Sequence, residues 1–554
     1  MTFLIQIGTS VVRKTDIKNG RMQFAWWTLG IIVIGLVLAI RIRLLGIPLE
    51  RDEGEYAYAG QLILQGIPPY KLAYNMKFPG TYAAYGLVMS IFGQTIQAIH
   101  LGLLLINVAT IALIFFAGRR LINTVAGVTA AVSYAVLSVS PSVLGLAAHA
   151  TNFVVLPVLG GILLLLKGQR LTDSEPSQPK QLVPLFAGGV LFGIGVLMKQ
   201  PGLLFVPLGI IYIVWRDLNC RISLNRMLIH ILIFVAGAAL PLGVTSLILW
   251  RAGVFNTFWF WTINYARQYG SLVPLRQAPQ IFLRSANEVV LTGWPIWMLA
   301  GIGALIGLWD QRIRCRTLFL VGFLFFGALA VCPGLFFRTH YFILILPAVS
   351  LLAGAAISKL AEVLQGRSIL LRFIPLLLFA VALSVPILLD KKIFFEVPPD
   401  QACGLIYPGN PFLESVRIGT YLRGQTEPSD TIGVLGSEPE IYFYSRRHSA
   451  TGYIYAYGLM EPQKYAEQMQ EEMIREIEAA RPKYLVSVAM EYSWLRRRDS
   501  AEAIFNWANA YMAQNYTAAG FVNIKPNETD YFFGDVPQTV ETLKDYILIY
   551  RRKL

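Results

Sequence analysis

The feature that most constrains this chain is its succession of long apolar runs separated by short, basic connections. A helix needs about 20 apolar residues to cross the hydrocarbon of a bilayer. Runs near that length occupy positions 24–45, 95–117, 124–139, 151–166, 183–198, 202–215, 227–250, 289–308, 317–332, 341–357 and 373–389. Inside lipid every backbone N–H and C=O must be satisfied within the structure, and helices do this segment by segment. With 55% hydrophobic and only 14% charged residues, the chain is too apolar to bury its surface as a water-soluble globule of this length. The expectation is an all-α polytopic membrane domain over residues 1–390 with about 11 transmembrane helices. The first run is long enough to span and lacks a small-residue cleavage site, so it reads as a retained helix rather than a signal peptide.

The charge pattern supplies an orientation. The net charge is +14, but the basic residues are scattered in clusters between apolar runs, which argues against nucleic acid as a partner. They fall in alternate connections, for example Arg119 and Arg120, then Arg216, Arg221 and Arg226, then Lys359, Arg367 and Arg372. By the positive-inside rule the N-terminus is cytoplasmic. An odd number of spans then puts the outer loops 41–82 and 251–288, and everything after the last span, on the extracytoplasmic side. Residues 391–554 gain polar residues and read as a small extracytoplasmic α/β domain, with strands at 431–435, 483–488 and 546–551 and an amphipathic helix at 462–481. Cys220, Cys315, Cys332 and Cys403 stand far apart, with neither zinc-ribbon spacing nor a disulfide framework.

The candidate functional residues are charged groups at the outer helix ends, where neither rule asks for them. The first outer loop holds Asp52 and Glu53, followed by Tyr56, Ala59, Leu62 and Ile63 at helical spacing. Asp52 can cap a helix with Glu55 completing a capping box, or it can act as a base; carboxylates at the mouth of a membrane bundle are costly unless paired or used. Lys77 precedes the Pro79-Gly80 turn and reads either as a snorkelling lysine or, with Lys199 and Arg338 at two further outer helix ends, as part of a phosphate-binding basin. His149 and His340 have no second His or Cys at ligand spacing and read as hydrogen-bonded interface residues, so no metal site is expected. The aromatic stretch Trp259, Phe260, Trp261, Tyr265 and Tyr269 reads as an interfacial belt, with substrate stacking as its alternative.

Several of these stretches resemble a known family. Asp52-Glu-Gly-Glu-Tyr-Ala-Tyr, Gly66-Ile-Pro-Pro-Tyr, Lys77-Phe-Pro-Gly-Thr-Tyr and the helix ending Ala117-Gly-Arg-Arg-Leu121 resemble the family 39 glycosyltransferases, which include protein O-mannosyltransferases and lipid A aminoarabinose transferases of the GT-C membrane fold. The likeness is tight over 52–201 and looser through 338–347, and residues 430–446 look like the extracytoplasmic domain of bacterial members. The resemblance implies a bacterial inner-membrane enzyme that moves a sugar, with inversion, from a polyprenyl-phosphate donor to a glycan, lipid or protein acceptor. It implies Asp52 as the first-loop acid and Lys77 as a phosphate contact. The chain departs from the family at Met76-Lys-Phe-Pro, where aminoarabinose transferases carry Glu-Lys-Pro-Pro, and at His149-Ala-Thr-Asn152, where some members carry an acid. The expected site therefore has Asp52 and Glu53 as catalytic residues and Lys77, Lys199 and Arg338 on the donor phosphate. Tyr56, Tyr82, His149, His340 and Tyr341 are expected on the substrate. A lipid monophosphate leaving group balanced by these cations requires no metal or other cofactor. The rival readings are a lipid or sugar transporter or flippase, which would carry ionisable groups near the midplane and internal repeats, and a membrane scaffold whose tail binds a partner.

Overall fold

The computed structural model describes residues 2–167, 182–311, 313–525, 528–534, 536 and 544–553. The apolar runs are helices: α1 (Thr2–Arg43), α4 (Ile96–Leu121), α5 (Thr124–Val139), α6 (Ala150–Lys167), α7 (Leu182–Met198), α8 (Phe205–Asn219) and α9 (Leu224–Arg251), then Trp294–Trp309, Arg314–Val331, Leu346–Leu364 and Ile369–Leu389. Two more helices, α2 (Arg51–Leu64) and α3 (Gly80–Phe92), lie between α1 and α4. Ile31, Ile32, Leu232, Leu247, Leu377 and Val381 are exposed on the bundle. Such a surface suits lipid, since water would drive it into aggregation.

All eleven expected runs are helical. Among the described residues 8 helices are long and apolar enough to cross, or 9 if one bent pair counts as a span. The runs in α5 and α7 are shorter apolar helices. The run expected at 289–308 is broken: Leu275–Thr292 meets Trp294–Trp309 at 101°. The cause is local, because Pro295 begins the second helix without an N–H to continue the first. The preceding segment carries Arg284 and Glu288, charged groups that hydrocarbon disfavours. Helices inside the bundle approach closely where a glycine faces a backbone. A Cβ on Gly303 would stand 2.0 Å from the Leu352 carbonyl oxygen, so only glycine allows this contact with Leu346–Leu364.

After the bundle the chain builds a six-stranded sheet from β1 (Thr431–Leu435), β2 (His448–Ser449), β3 (Tyr484–Ala489), β4 (Tyr516–Ile524), β5 (Thr529–Phe533) and β6 (Tyr546–Arg552), in the order β2-β1-β3-β6-β4-β5. β1 pairs in parallel with β2 and β3, while β6 runs antiparallel between β3 and β4. The three expected strands are present, and the expected amphipathic helix is Ala466–Ala480; β2, β4 and β5 are additional.

This unit is docked on the bundle through α2. A Cβ on Gly54 would lie 2.6 Å from the backbone nitrogen of Glu440, so the two chains touch main chain to main chain. Around that contact Gln61 donates to the Phe443 carbonyl at 3.2 Å and Tyr58 accepts from the Ser449 N–H at 2.7 Å. The Arg51 guanidinium pairs with Glu438 at 3.2 Å. Burial of this pair is sustained by further bonds from Ser493 to Glu438 and from Arg51 to Asn410, as a desolvated ion pair requires.

Candidate active site

The start of α2 sets the geometry. Its N-cap is Glu50: the Glu53 N–H donates to Glu50 Oε1 at 3.0 Å and the Glu50 N–H to Glu53 Oε2 at 3.3 Å, a reciprocal capping box. The sequence reading of Asp52 as a cap paired with Glu55 is therefore corrected: the helix is capped two residues earlier, at Glu50, and Asp52 stands in its first turn with its side chain free for other work. Successive helical side chains diverge by about 100°, so Asp52 and Glu53 face different surroundings. Asp52 lines a cavity of about 710 Å³ between the bundle and the C-terminal unit. Glu53 does not line it; its carboxylate accepts from the Ala148 N–H at 2.6 Å and contacts His100 Nε2 at 3.1 Å. It anchors the loop carrying His149.

Lys77 Nζ donates to Asp52 Oδ1 at 2.8 Å and to Glu55 Oε2 at 2.6 Å, and lies 4.6 Å from the Tyr56 ring centroid. Glu55 is in turn held by Asn75 at 2.7 Å and by the Tyr82 hydroxyl at 2.5 Å. Tyr82, expected on the substrate, lies behind Glu55 and outside the cavity lining. Burial pushes the Asp52 carboxyl up, but Lys77, with His149 and Lys199, outweighs it and holds the group well below the usual carboxylate range. Burial pulls the Lys77 ammonium down, and Asp52 and Glu55 more than reverse this. For Glu55 burial dominates and its carboxyl is raised.

Lys199 and Arg338 also line the cavity. Lys199 sits 4.0 Å from the Tyr341 ring centroid. Among the described residues neither cation has a carboxylate within ion-pair distance, whereas Lys77 has two. Burial brings the Lys199 ammonium down to about 7.

His149 and His340 were expected as separate interface residues; the fold stacks their rings at 4.0 Å and 8°. Among the described residues both nitrogens of His149 and Nδ1 of His340 are buried without a hydrogen-bond partner. Burial brings His149 down to about 4 and His340 well below its ordinary value, so both imidazoles are neutral. Together with Asp52 they offer ligand atoms within 4.8 Å of one another. A carboxylate with two neutral imidazoles is a donor set suited to a divalent ion such as Zn²⁺. Ligand spacing in sequence could not reveal it, because the two histidines come from different loops.

The remaining wall comes from the second outer loop and the C-terminal unit. A π-helical turn, Phe260–Tyr265, breaks the regular ladder as such turns do at functional sites and brings Trp261 and Tyr265 into the lining, with Tyr269 beyond it; Trp259 stays exposed. Tyr265 donates to Glu461 at 2.6 Å, and burial brings that carboxyl up to about 7. Tyr455 donates to Asp52 Oδ1 at 3.3 Å. These C-terminal residues were missed in sequence. The one available signal was the alternation Tyr453-Ile-Tyr-Ala-Tyr457, which puts Tyr455 and Tyr457 on the cavity.

Comparison with known proteins places this architecture. Residues 77–246 match the family described as dolichyl-phosphate-mannose-protein mannosyltransferase. The crystal structure of ArnT from Cupriavidus metallidurans bound to undecaprenyl phosphate aligns over 95% of this chain and 98% of its own, with a TM-score of 0.56 at 13% identity. The apo oligosaccharyltransferase of Archaeoglobus fulgidus aligns over 93% of this chain and 75% of its own, with a TM-score of 0.51 at 14% identity. A structure of the same archaeal enzyme in complex with Zn and sulfate aligns over 90% and 72%, with a TM-score of 0.50 at 15% identity. No curated protein sequence matches the chain. At these identities the likeness establishes a shared fold.

Proposed function

We propose, on the premise that this integral membrane protein has the GT-C fold, that it is an inverting glycosyltransferase. It moves a sugar from a polyprenyl-phosphate donor to an acceptor hydroxyl at the outer face of a bacterial inner membrane, with the N-terminus cytoplasmic. The observation that carries this reading is one cavity lined by the Asp52 carboxylate together with Lys199 and Arg338, two cations without carboxylate partners among the described residues. Cations left this way inside a protein suit an anionic ligand, and a phosphate accepts their hydrogen bonds.

In this reading the donor phosphate lies on Lys77, Lys199 and Arg338, and the acceptor approaches from the Asp52 side. The acceptor oxygen forms a bond to the anomeric carbon as the bond from that carbon to the phosphate oxygen breaks. The electron pair leaves with the polyprenyl phosphate, and the proton passes to Asp52. A carboxylate paired with Lys77 is a weak base. The phosphate of the incoming donor draws the Lys77 ammonium toward itself, weakens that pairing and raises the basicity of Asp52 when donor is present. Glu53 acts as a positioning residue through Ala148 rather than as a second catalytic acid. Asp52, His149 and His340 would hold a divalent cation, which would supply Lewis acidity at the Asp52 end of the cavity.

The test is transfer from a radiolabelled polyprenyl-phosphate sugar by the purified protein in nanodiscs, with release of polyprenyl phosphate as the readout. Release that requires Asp52 supports the reading. Movement of the intact labelled lipid between leaflets without release would make the chain a flippase.

A further inference from the structure

The donor wall is cationic, but the cavity has a second wall of different chemistry. Tyr407, Asn410 and Phe412 follow the last membrane helix, and Tyr455 and Tyr457 come from the C-terminal unit; all five line the cavity with Arg51. Tyr407 packs edge-on to Phe412 at 5.4 Å, and Tyr455 edge-on to Tyr457 at 4.9 Å. The Arg51 guanidinium joins the two pairs, lying 5.5 Å from the Phe412 centroid and 5.3 Å from that of Tyr457.

Charge decides what this wall can hold. The two cations that touch these rings are both paired: Arg51 with Glu438 at 3.2 Å and Asn410 Oδ1 at 3.1 Å, and Lys77, 5.5 Å from the Tyr455 centroid, with Asp52 and Glu55; Arg497 lines the cavity from the same unit. At the rings themselves a phosphorylated or carboxylated acceptor would have to displace an existing carboxylate from Arg51 or Lys77. An extended peptide would be held by main-chain pairing to a strand edge, and neither edge strand, β2 or β5, contributes to the cavity. What remains is a neutral wall of aromatic faces, with a Tyr407 hydroxyl that has no hydrogen-bond partner among the described residues. Aromatic faces pack against the C–H faces of a pyranose ring, and a phenol hydroxyl bonds its equatorial hydroxyls. Tyr455 fixes the register, because it touches the Asp52 oxygen that also meets Lys77. A ring resting on this wall therefore lies beside the base.

We propose that this aromatic wall is the acceptor subsite and that the acceptor is a neutral saccharide, presented as the end of a glycan. The proposal rests on the transferase reading above and adds to it the chemical class of the acceptor.

The test uses saturation-transfer NMR on the full-length protein in nanodiscs, with three probes: a panel of neutral di- and trisaccharides of hexoses and N-acetylhexosamines, a phosphorylated glucosamine disaccharide, and a Ser/Thr-rich peptide. At least one neutral saccharide should receive saturation on its ring protons. Tyr457→Ala and Tyr407→Ala should each weaken its binding about tenfold, the scale of a lost aromatic contact. Undecaprenyl phosphate affinity, measured on the same samples, should stay within twofold of wild type, so a variant that fails to fold is recognised by losing both. Tyr457→Leu, which keeps apolar bulk without the ring, should weaken saccharide binding as the alanine variant does. The proposal is overturned if no neutral saccharide binds, if only the phosphorylated disaccharide or the peptide binds, or if both alanine variants bind saccharide like wild type. Failure of wild-type protein to bind undecaprenyl phosphate would overturn the donor reading instead, whatever the saccharides do.

Discussion

Tyr455 donates its hydroxyl to Oδ1 of Asp52 at 3.3 Å, across 403 positions of sequence. The same oxygen accepts from Lys77 at 2.8 Å. One oxygen of Asp52 is thus held by both halves of the chain.

Replacing Asp52 by Asn separates folding from chemistry, because the helix is capped by Glu50 and not by Asp52. We expect Asp52→Asn to keep its circular dichroism and its undecaprenyl phosphate affinity while transfer falls by about 10²- to 10⁴-fold, the usual effect of removing a general base. Glu53→Gln should instead lower the melting temperature, since it weakens the tie to the Ala148 N–H. A fully active Asp52→Asn enzyme would move the base elsewhere.

Lys199 gives the donor site a pH dependence of definite sign. Its ammonium titrates at about 7, so the charged form prevails below that pH and is lost above it. The second pKa of a phosphate monoester is about 6, so undecaprenyl phosphate stays largely dianionic between pH 7 and 9. Binding measured by calorimetry should weaken as pH rises through this window, approaching about tenfold per unit. Lys199→Arg should flatten the profile. Equal slopes in the two proteins would remove Lys199 from the phosphate site.

Glu55 holds Lys77 from behind, with Asn75 and Tyr82 holding Glu55. Hydrogen bonds to a charged partner contribute about 1.5–3 kcal/mol each, so Glu55→Gln should lower the melting temperature and loosen Lys77. Donor affinity should fall with it. A variant unchanged in both would show that Asp52 alone suffices to hold the lysine.

The orientation is testable with residues already in the chain. Gln425 is exposed on the C-terminal unit, and Cys220 and Cys315 are exposed in basic connections of the bundle. Gln425→Cys should react with an impermeant maleimide in intact cells, while Cys220 and Cys315 should react only after permeabilisation. The reverse pattern would invert the topology.

The membrane helices were legible in the sequence because each is written locally, as an apolar run with basic ends. The break near Gly293 was less so: the apolar pattern continues across it, and only Pro295 and the polar residues before it mark the bend. Asp52 and Lys77 could be found because outer charges stand out against lipid-facing sequence. The capping assignment slipped by two residues because Asp is a preferred cap and Glu is not, yet Glu50 does the work. The stacking of His149 on His340 and the contact of Tyr455 with Asp52 had no sequence signal at all. They depend on packing between segments that the chain itself keeps far apart.

The place of β6 in the sheet has a consequence for timing during synthesis. It follows every other described element, yet it lies between β3 and β4, so the sheet cannot close until this strand emerges. The unit that carries Tyr455 and Tyr457 is therefore finished last, after the bundle has been inserted and its cationic pocket already exists. On the transferase reading proposed above, a nascent chain would be able to meet donor before it could meet acceptor.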